Sequence, residues 1–128
     1  MNTAAILLIV GTTVFTVRPA DTDAARAFAA RLPLAVAMTE LNGNEKYANL
    51  PKPLPSKAEQ VRKIEAGDVM LWGDNCLVVF YKSFSTPYSY TRIGRIDNPK
   101  GLAKALGRGD INVTFELPKP PDAKPQSK

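Results

Sequence analysis

The stretch Asp68–Lys82, DVMLWGDNCLVVFYK, decides the fold. An apolar run from Asp68 to Trp72 meets three turn formers, Gly73-Asp74-Asn75, and a second apolar run follows from Cys76 to Lys82. Two short runs bounded by such residues predict antiparallel strands joined by a three-residue loop. Outward along the chain the same period recurs. Tyr90–Ile96 alternates as a strand, and Ile111–Leu117 sets Ile111, Val113, Phe115 and Leu117 against Asn112, Thr114 and Glu116. Leu34–Leu41 alternates likewise, and Ala4–Val10 and Thr13–Val17 flank Gly11-Thr12 as a further hairpin.

Helical signals are few. Ala24, Ala27, Phe28 and Arg31 follow helical spacing, with Asp21 or Asp23 as the N-cap and Pro33 beyond the end. Asn98 as N-cap, Pro99 at the first helical position and Gly107 after Leu106 bracket a second short helix. Two helices of this size cannot cover both faces of a parallel sheet. The expected class is therefore mainly β: a small closed antiparallel barrel with two short helices, residues 1–117 forming one domain. Between them, Asn42-Gly43 marks a turn, and Asn44–Arg62, with Pro51, Pro53 and Pro55, reads as an extended loop. Pro118–Lys128 reads as a disordered Pro/Lys-rich tail.

Composition excludes much catalytic chemistry. With 128 residues and no histidine there is no imidazole base, no Ser/His or Cys/His triad and no His-ligated metal. The single Cys76 allows neither an internal disulfide nor a cysteine zinc site and reads as a small buried hydrophobe. No cofactor is implied, and no Gly-rich phosphate loop is present; Asp68 and Asp74 read as turn acids. The net charge of +5 comes from two places: residues 52–63, with four bases against one acid, and residues 117–128, with three against one. The remainder is neutral, which argues against a nucleic-acid partner. The apolar run Ala4–Val10 is too short for a membrane span, and no basic residue precedes it as in a cleaved leader, so cytoplasm is the default location.

Aromatic residues concentrate between Trp72 and Tyr90: Trp72, Phe80, Tyr81, Phe84, Tyr88 and Tyr90. Strand alternation assigns Trp72 and Phe80 to the barrel filling. Phe84, Tyr88 and Tyr90 belong to a segment, Lys82–Arg92, in which rings and hydroxyls alternate as in a cleft wall. A second candidate loop holds Asn44, Glu45, Lys46 and Tyr47, an acid, a base and a ring together. The candidate ligand-binding residues are thus Asn44, Glu45, Lys46, Tyr47, Tyr81, Phe84, Tyr88, Tyr90 and Arg92, with no catalytic or metal residue assigned.

The segments TTVFTV (12–17), AARAFAARLPL (24–34), ELNGNEKYANLPKPLP (40–55), AGDVMLWGDNCLVVFYKSF (66–84) and YTRIGRI (90–96) resemble the small bacterial and archaeal cyclophilin-like domain family. The resemblance spans most of residues 6–117 and implies a closed barrel of about eight strands with two helices. It implies no established activity. True cyclophilins lower the barrier to X-Pro rotation, about 18–20 kcal/mol, with an arginine set shortly before a Phe-Met-x-Gln run. That run is absent here, and only Arg92 or Arg95 could substitute. The leading expectation is a binding module for a small molecule or an extended peptide, held between Asn44–Tyr47 and Tyr81–Arg92. A peptidyl-prolyl isomerase with an altered site is the alternative, and an oligomerising interaction protein is a third reading; the oligomeric state is left open.

Overall fold

A computed structural model of the chain describes residues 4–119. Eight antiparallel strands close into a barrel. Around it run β2 (Thr13–Pro19), β1 (Ile6–Val10), β11 (Ile111–Glu116), β3 (Leu34–Leu41), β4 (Glu45–Asn49), β8 (Cys76–Phe80), β7 (Asp68–Trp72) and β10 (Ser89–Ile96), which returns to β2. Three two-residue strands lie outside the ring: β5 (Glu59–Gln60) borders β10, and β6 (Lys63–Ile64) pairs with β9 (Phe84–Ser85). The helices are α1 (Asp23–Ala30) and α2 (Leu102–Leu106). The expected mainly β class, closed barrel and two short helices all stand.

Closure depends on one glycine. Gly94 of β10 pairs with Pro19 of β2, just past a bulge between Arg92 and Gly94. A Cβ at this position would lie 2.7 Å from the Arg18 carbonyl oxygen and 2.8 Å from Val17 Cγ1, so only glycine lets the two strands meet.

The period of two sorts the side chains. Leu8, Val17, Val69, Leu71, Leu77, Val79, Ile93, Val113 and Phe115 form the core, with Phe28 of α1 edge-on to Phe115 at 5.2 Å. Each fully buried side chain of this size contributes about 1.5–3 kcal/mol. Strands β7 and β8 differ from the rest, because their outward residues Met70, Val78 and Phe80 are buried as well. Val61, Ile64 and Tyr90 cover them in a second apolar cluster, with Phe84 packed against it. Nearly continuous apolar runs such as VMLW and CLVVF are what a wall covered on both faces requires.

Several local readings are corrected. Thr22, not Asp21 or Asp23, caps α1, its hydroxyl accepting from the Ala25 N–H at 3.0 Å. Asn98 accepts from the Lys100 N–H in a preceding turn; Gly101, at φ 84°, then delays α2 to Leu102. Glu45–Asn49, read as part of a loop, is strand β4, because Asn42 and Gly43 at φ 58° and 67° form a tight hairpin that returns the chain along β3. Beyond it the proline-rich segment, residues 50–58, forms neither strand nor helix. It is anchored by the Leu50 and Leu54 amides, donating to the Asn75 and Asp74 carbonyls, and by Arg31 donating to the carbonyls of Lys52 and Pro53. The run Ile6–Val10 is a barrel strand between β2 and β11. The expected Pro/Lys tail lies, from residue 120 on, outside the described residues.

Candidate functional site

A cleft of about 590 Å³ opens on the outer face of the wall formed by β4, β8 and β7. Register places its floor. Glu45 lies opposite Phe80, Tyr47 opposite Val78, and Asn49 opposite Cys76, which in turn faces Trp72. Since alternate residues share a face, Glu45, Tyr47, Val78, Cys76 and Trp72 all point outward into the cleft. The far wall is the segment 84–88 together with Tyr90, and the β3–β4 hairpin supplies the rim at Leu41, Asn42 and Asn44. Pinning of that segment is local: β9 pairs with β6, and the Thr86 N–H donates to the Arg62 carbonyl.

Rings dominate the chemistry. Trp72 stands edge-to-face with Tyr88, centroids 5.3 Å apart and planes at 80°, and is tilted 57° to Tyr90 at 5.6 Å. Trp72 is 46% exposed and Tyr88 56%, so two large rings meet at a corner open to solvent. Beneath them Tyr90 and Phe80 are buried, at 5.5 Å from one another.

Glu45 is the one formally charged side chain on the cleft lining among the described residues. Burial, and secondarily the Glu40 carboxylate, raise its pKa. Burial also pushes the Cys76 thiol up, with Glu45 adding to the effect. The Tyr90 phenol is raised by burial and by Glu45, against a hydrogen bond from Thr86 that acts the other way. The negative charge of Glu45 is thus felt on both sides of the cleft. Among the described residues no group of three His, Cys, Asp or Glu side chains is placed to hold a metal ion.

Of the nine candidate residues, Asn44, Glu45, Tyr47, Phe84, Tyr88 and Tyr90 come together on this cleft. Lys46, Tyr81 and Arg92 face elsewhere. Lys46 is fully buried on the opposite side of the wall, donating to the Gly107 and Gly109 carbonyls at 2.7 and 2.6 Å and pairing with Glu40 at 2.9 Å. Tyr81 donates its hydroxyl to the same Glu40 carboxylate at 2.7 Å, and burial with this contact pushes its pKa up to about 12. Although burial raises Glu40, the bonds from Tyr81, Lys46 and the Gly43 N–H bring it below its ordinary range. Arg92 pairs with Glu59 at 3.3 Å and Arg95 with the buried Asp68 at 2.7 Å, so neither guanidinium lines the cleft. Asp68 is more than a turn acid, since it also accepts from the Glu65 N–H.

Trp72, which alternation assigns to the barrel filling, and Cys76, expected as a small buried hydrophobe, instead line the cleft, while Phe80, also expected in the barrel filling, is buried on the outer face of the wall. The outward residues of β7 and β8 carried the signal: unbroken apolar runs require a cover, and the cover stops short of Trp72.

The chain belongs to the Cyclophilin-like family, whose model matches residues 8–116. It is also similar to the solution structure of a hypothetical protein from Archaeoglobus fulgidus, with a TM-score of 0.58 and 19% sequence identity, covering 90% of this chain and 95% of that one. At that identity the likeness speaks for the fold alone. None of the curated proteins matches the sequence, and no helix of the described residues is long and apolar enough to cross a membrane.

Proposed function

We propose that the protein is a binding module that takes a small molecule, or a short extended peptide segment, in the cleft on the outer wall. One observation carries this reading: Trp72 and Tyr88, 46% and 56% exposed, hold a near-perpendicular corner over a cavity of about 590 Å³. Cavities of about 300–1,000 Å³ lined by rings and a few polar groups are the usual form of a ligand site. The barrel is closed, and its extra strands are two residues long, which favours a peptide held by side-chain contacts over one added as a strand. A half-buried free thiol with no second cysteine suits a reducing, cytoplasmic setting. The isomerase alternative has no comparable support, because Arg92 and Arg95 are committed to Glu59 and Asp68 away from the rings.

Trp72 is the single tryptophan, so its fluorescence reports directly on the cleft. A fragment and peptide screen read by that emission should give binders, and Tyr88→Ala should weaken them by about tenfold, the equivalent of about 1.4 kcal/mol. A screen in which no ligand changes the emission, or binders that are indifferent to Tyr88→Ala, would overturn the reading.

A further inference from the structure

We propose that the cleft selects organic cations, ligands carrying an amine or quaternary ammonium, seated between the Glu45 carboxylate and the corner formed by Trp72 and Tyr88. This inference rests on the cleft being a binding site and specifies its ligand class.

The charge pattern is the first support. The chain carries 17 basic residues against 12 acidic ones, yet among the described residues no lysine or arginine lines the cleft. The positive groups that neighbouring sequence could have supplied are turned away: alternation sends Lys46 to the inside of the wall, and Arg92 is held by Glu59. Glu45 has no salt-bridge partner among the described residues. A half-buried carboxylate left without a counter-charge resists further burial by a neutral ligand and welcomes a positive one.

Ring geometry is the second. The faces of tryptophan and tyrosine carry negative potential, and a cation within about 6 Å of a ring centroid is attracted to it. Trp72 and Tyr88, edge-to-face with centroids 5.3 Å apart at 80°, both line one opening and are both about half exposed, so ring surface left free by their own contact borders it. Tyr47 and Tyr90 line the same cleft. Quaternary ammonium groups are recognised by arrangements of this kind. A hard metal ion fits poorly, because among the described residues one carboxylate lines the cleft and no group of three His, Cys, Asp or Glu side chains is placed to hold such an ion. An anion would meet Glu45, with no lysine or arginine among the described lining residues to offset it.

The test compares choline with its uncharged carbon isostere, 3,3-dimethyl-1-butanol, titrated into the full chain and followed by Trp72 emission and amide shifts. A third arm uses a capped tripeptide with a central trimethyllysine, which presents the same group on a backbone. Choline should bind about tenfold tighter than the isostere, and Glu45→Gln, with fold checked by its amide spectrum, should reduce that preference to about threefold or less. If the peptide exceeds choline by tenfold or more, the cation belongs to a peptide side chain; if not, to a free small molecule. Equal binding of choline and the isostere would overturn the cation inference and leave the binding site intact. If none of the three binds while the fragment screen finds uncharged ligands in the cleft, the cation inference fails alone; if that screen is silent too, both readings fail.

Discussion

Glu45 and Lys46 are adjacent in the chain and face opposite sides of the same barrel wall. Lys46 points inward, fully buried, with its ammonium shared among two carbonyls and Glu40; Glu45 points outward into an aromatic cleft. Strand alternation separates an acid and a base that the sequence presents together. One of them is tied into the fold, and the other lines the cleft.

Lys46 ties β4 to the turn between α2 and β11 through the Gly107 and Gly109 carbonyls. Replacing it with Met removes the donor to both carbonyls and the counter-charge of Glu40, which keeps only the Tyr81 hydroxyl and the Gly43 N–H. We expect Lys46→Met to lose about 3 kcal/mol in urea denaturation. A loss below about 1 kcal/mol would mean that the ammonium is not buried as described.

Gly94→Ala tests closure. An added Cβ at 2.7 Å from the Arg18 carbonyl meets backbone, which cannot move aside as a flexible side chain can. The variant should lose about 1–3 kcal/mol, with the largest rise in amide exchange along β2 and β10. Wild-type stability and exchange would show that the strands do not meet there.

The two arginine–aspartate pairs of β10 and β2 should differ sharply. Asp68 is 1% exposed and is bonded to both Arg95 and the Glu65 N–H, whereas the Arg18–Asp97 pair is 74% and 43% exposed. Asp68→Ala should cost about 3 kcal/mol, and Asp97→Ala should leave the melting midpoint within measurement scatter. Equal effects would contradict the assigned burial.

Glu45 governs a pH effect of definite sign. Its folded pKa lies above its unfolded value, through burial first and the Glu40 carboxylate second. The native state therefore holds the proton more tightly, and stability falls as pH rises from the unfolded value through the folded one. At about pH 7 Glu45→Gln should be the more stable protein, by up to about 0.5 kcal/mol, and at about pH 3 the difference should vanish. Thermal melts at the two pH values decide it; a neutral-pH loss of stability would mean that the carboxylate has a counter-charge.

Much of the barrel was legible because strand period and turn chemistry are local. The hairpin loop at Gly73-Asp74-Asn75 and the strand Leu34–Leu41 are where the alternation puts them. Strand β4 was hidden because NEKYAN looks polar: its inward residue is a lysine whose acceptors, Gly107 and Gly109, lie 61 and 63 residues away. No local pattern announces such a contact. The far wall of the cleft was visible as alternating rings and hydroxyls, but Trp72 was assigned to the core since alternation gives two faces without saying how far the outer one is covered. That depends on where residues 59–64 and 84–90 settle, which is decided by tertiary packing against Met70, Val78 and Phe80.

The central claim is that ligands enter the outer-wall cleft. Amide and indole shift mapping of the labelled protein against a mixed fragment and tripeptide library tests it most directly. The account predicts perturbations concentrated on the Trp72 indole, Glu45, Tyr47 and residues 84–90, with Glu40, Tyr81 and residues 107–109 on the other side of the wall unmoved. Shifts that gather at another surface, such as the hollow beside Asp21, Asp23 and Lys57, or a library that perturbs nothing, would contradict it.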